Sequence, residues 1–419
     1  MTEVSSGQAD IWSLYLHVPF CPRKCPYCDF FSVTDRALIP SYVDGVCTEI
    51  RMWSDMKTPW LQGPLHTVYL GGGTPSLLSV AQAAQILETV YQAFVVTPDA
   101  EITMEVNPGT VDAAYLSAIR QLGINRLSIG AQSFDPSKLS FLSRIHTRDQ
   151  VFETLSGAAR AGFSNLGLDL MYALPKETSD VWQTDLDTAL ALQLPHLSCY
   201  MLTLEPGTPF YGQYKKGYFC PCDPDRRSDF FVHTSRVLEN AGYSHYEVSN
   251  FAKTRPYRSN HNTHYWERRA YLGVGPSAHS FFPRVPGTGP APGTDHALLS
   301  LRHLPDTGGP VRFWNPRDFH AWQDAVTARD LPGSGHEILT PYQERMEQVM
   351  LGLRTDNGIC LKNFGPDFHS LLNSLAARGS GHFFYSNPTD SPGIQRFRLT
   401  RSGMVCLDSI VDALVRKIL

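Results

Sequence analysis

Between Leu14 and about Asn250, short apolar or β-branched runs alternate with longer stretches whose apolar residues recur at helical spacing. The short runs predict strands at Leu14 to Val18, Thr67 to Leu70, Glu101 to Val106, Arg126 to Ala131, Asn165 to Met171 and His196 to Leu202. Helices are predicted over Ala81 to Phe94, Val111 to Leu122 and Gln150 to Ala161, and Gly123 and Gly162 stand where a helix end favours glycine. Repeated βα units of this kind predict an α/β protein with a parallel sheet buried on both faces. Periodicity alone does not choose between an open, doubly wound sheet and a partly closed barrel.

Further along, Pro283 to Pro310 is dense in proline and glycine and reads as a surface insertion. Beyond it, Pro341 to Leu353 and Leu407 to Ile418 predict helices. The expected organisation is therefore a βα unit over residues 1–250, a connecting segment with the insertion over 251–340, and a small, mostly helical domain over 341–419.

Composition narrows the classes. Hydrophobic residues make up 42% of the 419 and glycines a further 32 positions, which is the ordinary globular proportion and excludes disorder for most of the chain. Charged residues are only 18% and the formal net charge is -4, so a basic nucleic-acid surface is not expected. No run approaches the about 18 consecutive apolar residues of a membrane span. Met1 to Ile11 is polar, with Glu3 and Asp10, unlike a secretory or transit segment, and a cytoplasmic location is expected.

Of nine cysteines, three crowd into Cys21, Cys25 and Cys28, closer than a disulfide framework usually sets them. A C-x3-C-x2-C loop directly after the first strand suits an iron–sulfur cluster, because one tight turn can reach three corners of a cubane and leave its fourth iron open. The alternative is a tetrahedral zinc site completed by His17. Cys47, Cys199, Cys220, Cys222, Cys360 and Cys406 are scattered; Cys220 and Cys222 make either a second metal site or a surface loop. Gly71 to Gly73 follow the second strand, where missing side chains serve either a ligand's approach to backbone N–H groups or a tight βα turn. His261 to Trp266 (HNTHYW) joins imidazoles to aromatic rings, and by itself reads as a loop with a satisfied surface or core histidine.

The run Tyr15 to Cys21 with its cysteine spacing, Gly71-Gly72-Gly73-Thr74-Pro75, and Leu168-Asp169-Leu170-Met171-Tyr172 resemble the radical S-adenosylmethionine (SAM) family. Within it the chain resembles the oxygen-independent coproporphyrinogen III oxidase branch, and more closely the HemW-type heme chaperones. That resemblance implies a partial (β/α)6 barrel with a small helical C-terminal domain. It implies a [4Fe–4S] cluster on Cys21, Cys25 and Cys28, and SAM contacts from Tyr15, Tyr27, Gly72, Gly73, Thr74, Glu105, Gln132, Arg144 and Asp169. Arg144 is expected to grip a carboxylate at two points. In this family the amino and carboxylate groups of SAM chelate the open iron and an electron cleaves the sulfonium to a 5′-deoxyadenosyl radical.

His261 to Trp266 matches the HNxxYW motif that HemW-type proteins associate with heme, so His261 is the first candidate axial ligand, with His264 and His279 as the others. The coproporphyrinogen enzymes carry another cysteine two residues beyond the last cluster ligand, where this chain has Phe30. The implied function is to bind heme, the cluster and SAM and to deliver heme to an acceptor protein. A reductant protein and a peripheral contact with a membrane-bound acceptor are possible companions. The alternatives are oxidative decarboxylation of coproporphyrinogen III or another radical SAM reaction.

Overall fold

The structure, a computed structural model, describes residues 11–56, 58–283, 309–362, 364–385 and 393–417. Most of the proline- and glycine-rich insertion, residues 284–308, and the expected helix end at Ile418 lie outside the described residues. The expected strands all form: β1 (Trp12–Val18), β2 (Leu65–Gly72), β3 (Val96–Val106), β4 (Arg126–Gln132), β5 (Asn165–Tyr172) and β6 (His196–Met201). Helices follow at Val80–Ala93, Ala113–Gln121 and Arg148–Arg160, and Gly123 and Gly162 take φ of +101° and +86° just past two of them. β3 starts at Val96, earlier than its apolar run, because Leu65 pairs with Val96 ahead of a register shift.

Two compact units are present. The first gathers the chain up to Ala131, then Leu139–Leu166 and Asn260–Leu339. In it β1 to β4 pair side by side in parallel, and the far edge of β1 takes four strands that the sequence pattern does not announce. These are β9 (Tyr271–Val274), parallel to β1, and then β10 (His279–Phe282), β11 (Val311–Trp314) and β12 (Gly335–Ile338), antiparallel in turn. The second unit gathers Gln132–Lys138, Gly167–Ser259 and the chain from Thr340 onward. There β5 and β6 are parallel, and β7 (Ser244–Glu247) and β8 (Asn250–Ala252) extend β6 antiparallel.

The same unit carries helices Pro341–Gly352, Pro366–Ala377 and Leu407–Val415 around Phe368, Leu372, Phe397 and Leu414. A small antiparallel sheet joins them, with β13 (Ile359–Cys360) and β14 (Gly381–Tyr385) flanking β15 (Gln395–Leu399).

The two faces of β1 to β4 differ in chemistry, and this positions the site. One face carries Leu14, Leu16, Val68, Leu70, Ile102, Met104, Leu127 and Ile129, all buried. Because side chains alternate along a strand, the other face carries Ser13, Tyr15 and His17, Thr67 and Tyr69, Glu101, Thr103 and Glu105, and Arg126 and Ser128. Register aligns them into rows: Tyr15 beside Tyr69, Tyr69 beside Thr103, and Glu105 beside Ser128. A polar and aromatic face that is nonetheless largely buried requires partners for its polar groups, either from the chain or from a ligand.

Candidate functional site

At the C-terminal end of β1 the chain loops out and returns. Val33 N–H donates to the Pro19 carbonyl at 2.7 Å and Cys21 N–H to the Val33 carbonyl at 3.0 Å, so the base of the loop is fixed. Cys28 N–H donates to the Cys25 carbonyl at 3.2 Å, which tightens the turn between the last two thiols. Cys21, Cys25 and Cys28 are all half-buried free thiols. Arg144 Nη1 lies 3.6 Å from Cys25 Sγ, and Thr74 Oγ1 lies 3.8 Å from Cys21 Sγ. Burial pushes the Cys21 and Cys28 thiols up, and the neighbouring cysteines add to the shift. Thiols so placed ionise when a positively charged group binds them, so the donor set fits a metal cluster.

His17 does not complete a zinc site. Its Nε2–H donates to the Phe31 carbonyl at 2.9 Å and its Nδ1 accepts from the Tyr15 hydroxyl at 3.0 Å, so both nitrogens are committed. Burial holds it neutral, down to about 4. Among the described residues no three His, Cys, Asp or Glu side chains gather as a single-ion site, which leaves Cys220, exposed, and Cys222, buried, without one.

The glycine loop sits beside the thiols. Gly73 N–H donates to the Val18 carbonyl at 2.8 Å, and a Cβ there would meet the Phe20 and Val18 carbonyl oxygens at 2.7 and 2.8 Å. Gly72 has φ +108°, and a Cβ on it would strike the His17 ring at 2.5 Å. Packing against β1 thus already demands both glycines. Glu105 braces the loop: its Oε2 accepts Gly72 N–H at 3.0 Å and its Oε1 accepts the Tyr69 hydroxyl at 2.9 Å.

Arg144 differs from the expected two-point grip. Both hydrogens of Nη2 go to Asn107 Oδ1 at 2.7 Å and the Gly130 carbonyl at 3.0 Å, which ties the guanidinium to the strand ends beside the thiols. Its Nε is buried with no hydrogen-bond partner among the described residues, a donor that an acceptor ligand would satisfy. Tyr27 is half-buried, and its hydroxyl is pushed up by burial against the opposing pull of Arg144.

In the second unit, Gln132 ends β4 with φ +68°, a strained conformation for a non-glycine residue. The loop after it is anchored by a buried cluster that sequence reasoning missed. Lys138 Nζ donates to Glu177 Oε1 at 2.5 Å and Asp185 Oδ2 at 2.8 Å, and Asp185 also accepts from Ser133 Oγ and Phe134 N–H. Asp169 stands half-buried on β5, opposite Ser198 in the register.

The HNTHYW motif is not a loop. It forms a short helix, Asn260–Trp266, against the N-terminal ends of β1 to β3. Glu101 accepts both Asn260 N–H and His261 N–H at 3.0 Å and faces Arg126 at 4.0 Å. His261 is 1% exposed; its Nδ1 shares a hydrogen bond with Thr67 Oγ1 at 2.7 Å and its Nε2 one with the Tyr265 hydroxyl at 2.8 Å. His264 is likewise buried, bonded to Ser13 Oγ at 2.6 Å and 3.3 Å from His66. In this fold the His261 ring supplies the hydrogen bonds that the buried polar strand face requires, with both nitrogens engaged. The His261 ring also stacks on Tyr69 at 4.8 Å, with Tyr15 at 6.2 Å, so the motif underlies the two tyrosines nearest the glycine loop.

Comparison with known proteins follows this geometry. Residues 15–189 match the model of the Radical SAM superfamily. The chain is 35% identical over 426 aligned positions to the heme chaperone HemW of Synechocystis sp., spanning 96% of this chain and 95% of the relative. It is 40% identical to heme chaperone HemW of Escherichia coli over 64% of this chain and 69% of that protein. The mouse mitochondrial radical S-adenosyl methionine domain-containing protein 1 is 38% identical over 83% of this chain and 74% of that protein. Among solved structures, the E. coli coproporphyrinogen III oxidase HemN, a radical SAM enzyme, superposes with a TM-score of 0.75 at 22% identity, covering 97% of this chain and 90% of that one. The fold is thus the α/β radical SAM type that the motifs imply.

Proposed function

This chain belongs to the HemW family of heme chaperones, with the Radical SAM domain, and on that premise we propose that it binds heme, a [4Fe–4S] cluster and SAM and passes heme to an acceptor protein. The observation that carries the reading is an end-to-end likeness to heme chaperones combined with a thiol loop whose donors suit a cluster. Cys21, Cys25 and Cys28 hold the cluster, with the Arg144 guanidinium offsetting thiolate charge. When bound, such a cluster supplies a one-electron reductant and an open iron position.

The chain's own residues do the placing. Gly72, Gly73 and Thr74, braced by Glu105, receive SAM beside the thiols, with Tyr15, Tyr27 and Arg144 as its further contacts. Phe30 is 66% exposed where the coproporphyrinogen branch has its extra cysteine, which supports heme carriage rather than coproporphyrinogen oxidation. No helix among the described residues is long and apolar enough to cross a membrane. The setting proposed is the cytoplasm, with a reductant protein and a heme acceptor that docks transiently.

The test is anaerobic reconstitution, with heme, iron and sulfide counted with and without SAM, followed by transfer of heme to an apo-hemoprotein. Saturable heme binding and transfer are expected. With Cys21, Cys25 and Cys28 all changed to alanine, the cluster absorption and the acid-labile sulfide should be lost. Multiple-turnover conversion of coproporphyrinogen III to protoporphyrinogen IX, or no saturable heme binding, contradicts the reading.

A further inference from the structure

Two cationic or titratable side chains meet at one oxygen beside the thiol loop. Asn107 follows the last residue of β3, and its backbone is pinned on both sides: its N–H donates to Ser76 Oγ at 3.3 Å and its carbonyl accepts from Thr110 Oγ1 at 2.7 Å. Its Oδ1 accepts from Arg144 Nη2 at 2.7 Å and also faces His146 Nδ1 at 3.2 Å. Arg144 fixes which way the Asn107 amide points, because a guanidinium only donates and turning the amide over would set two N–H groups against each other.

His146 is 3% exposed, and its other nitrogen, Nε2, faces the Ala131 carbonyl at 2.9 Å. Both ring nitrogens therefore face oxygens that accept and cannot donate. A neutral imidazole has one N–H and one lone pair, so it satisfies one of these contacts and sets its lone pair against the other; an imidazolium donates to both. Two other buried histidines of the same unit are placed differently. His17 has the Tyr15 hydroxyl opposite one nitrogen, and His261 has the hydroxyls of Thr67 and Tyr265, groups that donate or accept as the ring requires. The surroundings of His146 are thus shaped for a second ring proton.

Burial and one charge oppose that proton. From β4 the ring meets the Ala131 carbonyl, from the end of β3 Asn107, and from its own loop Arg144, the charged side chain that acts on it. Together burial and Arg144 hold the imidazole down to about 4. Arg144 also reaches the other way, since its Nη1 lies 3.6 Å from Cys25 Sγ. A negative charge at that sulfur offsets the guanidinium and so lessens the repulsion felt at His146, and each further negative charge there acts in the same direction. Cys25, Arg144, Asn107 and His146 form one line of contacts that runs from a thiol to a titratable ring.

Resting on the reading that Cys21, Cys25 and Cys28 hold a [4Fe–4S] cluster, we propose that His146 takes up one proton from water when a one-electron donor delivers an electron to that cluster. The protonated ring then donates to both Asn107 Oδ1 and the Ala131 carbonyl. On reoxidation the electron leaves and the proton returns to water, and no bond between heavy atoms forms or breaks. His146 acts through Asn107 and Arg144, so it is a positioning residue and its mark is a pH profile.

The experiment is a redox titration of anaerobically cluster-loaded, full-length protein without SAM, reduced at an electrode through soluble mediators, with the cluster absorption followed at several pH values from 5 to 8. The midpoint of the unaltered protein should fall as pH rises, the reduction equilibrium changing by up to about tenfold per pH unit, or about 59 mV for one electron. His146→Gln keeps a donor for one of the two oxygens and does not titrate; it should load the same iron and sulfide and give a midpoint that does not follow pH. A level midpoint of the unaltered protein across this range overturns the proposal whether or not the variant folds, and so does an unchanged slope in His146→Gln. If no cluster assembles on the unaltered protein, the cluster reading itself is overturned.

Discussion

Tyr69 is the residue through which the glycine loop feels the rest of the fold. Its ring rests on His261 and its hydroxyl donates to Glu105, whose other oxygen holds Gly72 N–H. Tyr69→Phe keeps the stacked ring and deletes one hydrogen bond to a carboxylate, worth about 1.5–3 kcal/mol. SAM affinity should fall about 10-fold in a calorimetric titration of the folded, cluster-loaded protein; equal affinity would remove Glu105 from the brace. Glu105 is legible in the sequence through the family resemblance, which sets a polar SAM contact at the end of this strand. Tyr69 is not legible, since a tyrosine inside a β-branched run reads as core packing. His261 shows the converse: motif and chemistry mark the residue, but only the fold shows that Thr67 and Tyr265 already occupy its nitrogens.

The helix Asn260–Trp266 is too short to be stable by itself and depends on what it covers. Glu101 caps its first N–H groups and compensates Arg126, which is 2% exposed. Glu101→Ala uncaps the helix and takes a carboxylate from beside that buried guanidinium, and a loss of about 1–3 kcal/mol in urea unfolding is expected. A loss under about 1 kcal/mol would show that Arg126 finds compensation elsewhere. The long elements are readable because their apolar patterns run for several turns or pleats. β9 to β12 are not readable: each has four residues, too few to establish a period, and they pair across the insertion. The same brevity hides β13, with its two residues. The turn signals of that region describe a loop equally well, so these strands emerge only from their pairing.

For the whole chain, buried titratable groups set an acid limit. Burial pushes His17, His146 and His245 down to about 4 and His264 to about 3, so each is neutral when folded and protonated when unfolded between pH 4.5 and 6.5. Glu49 and Glu247 oppose them: burial raises both to about 7, so the folded chain holds their protons in that window and the unfolded chain releases them. His261, held neutral by burial in the same way, adds to the histidine side, so unfolding takes up protons on balance and stability should rise with pH across the window. Above pH 6.5 the unfolded histidines and the two folded glutamates lose their protons together, so the rise should flatten towards pH 7. Urea midpoints from pH 4.5 to 8 check this; a midpoint that is flat or falling between 4.5 and 6.5 contradicts it. The burial that raises the Cys21 and Cys28 thiols has its own consequence for the life of the chain. A protonated thiol is a poor nucleophile and reacts slowly with peroxide, so in a folded chain waiting for iron Cys21 and Cys28 are slow to oxidise.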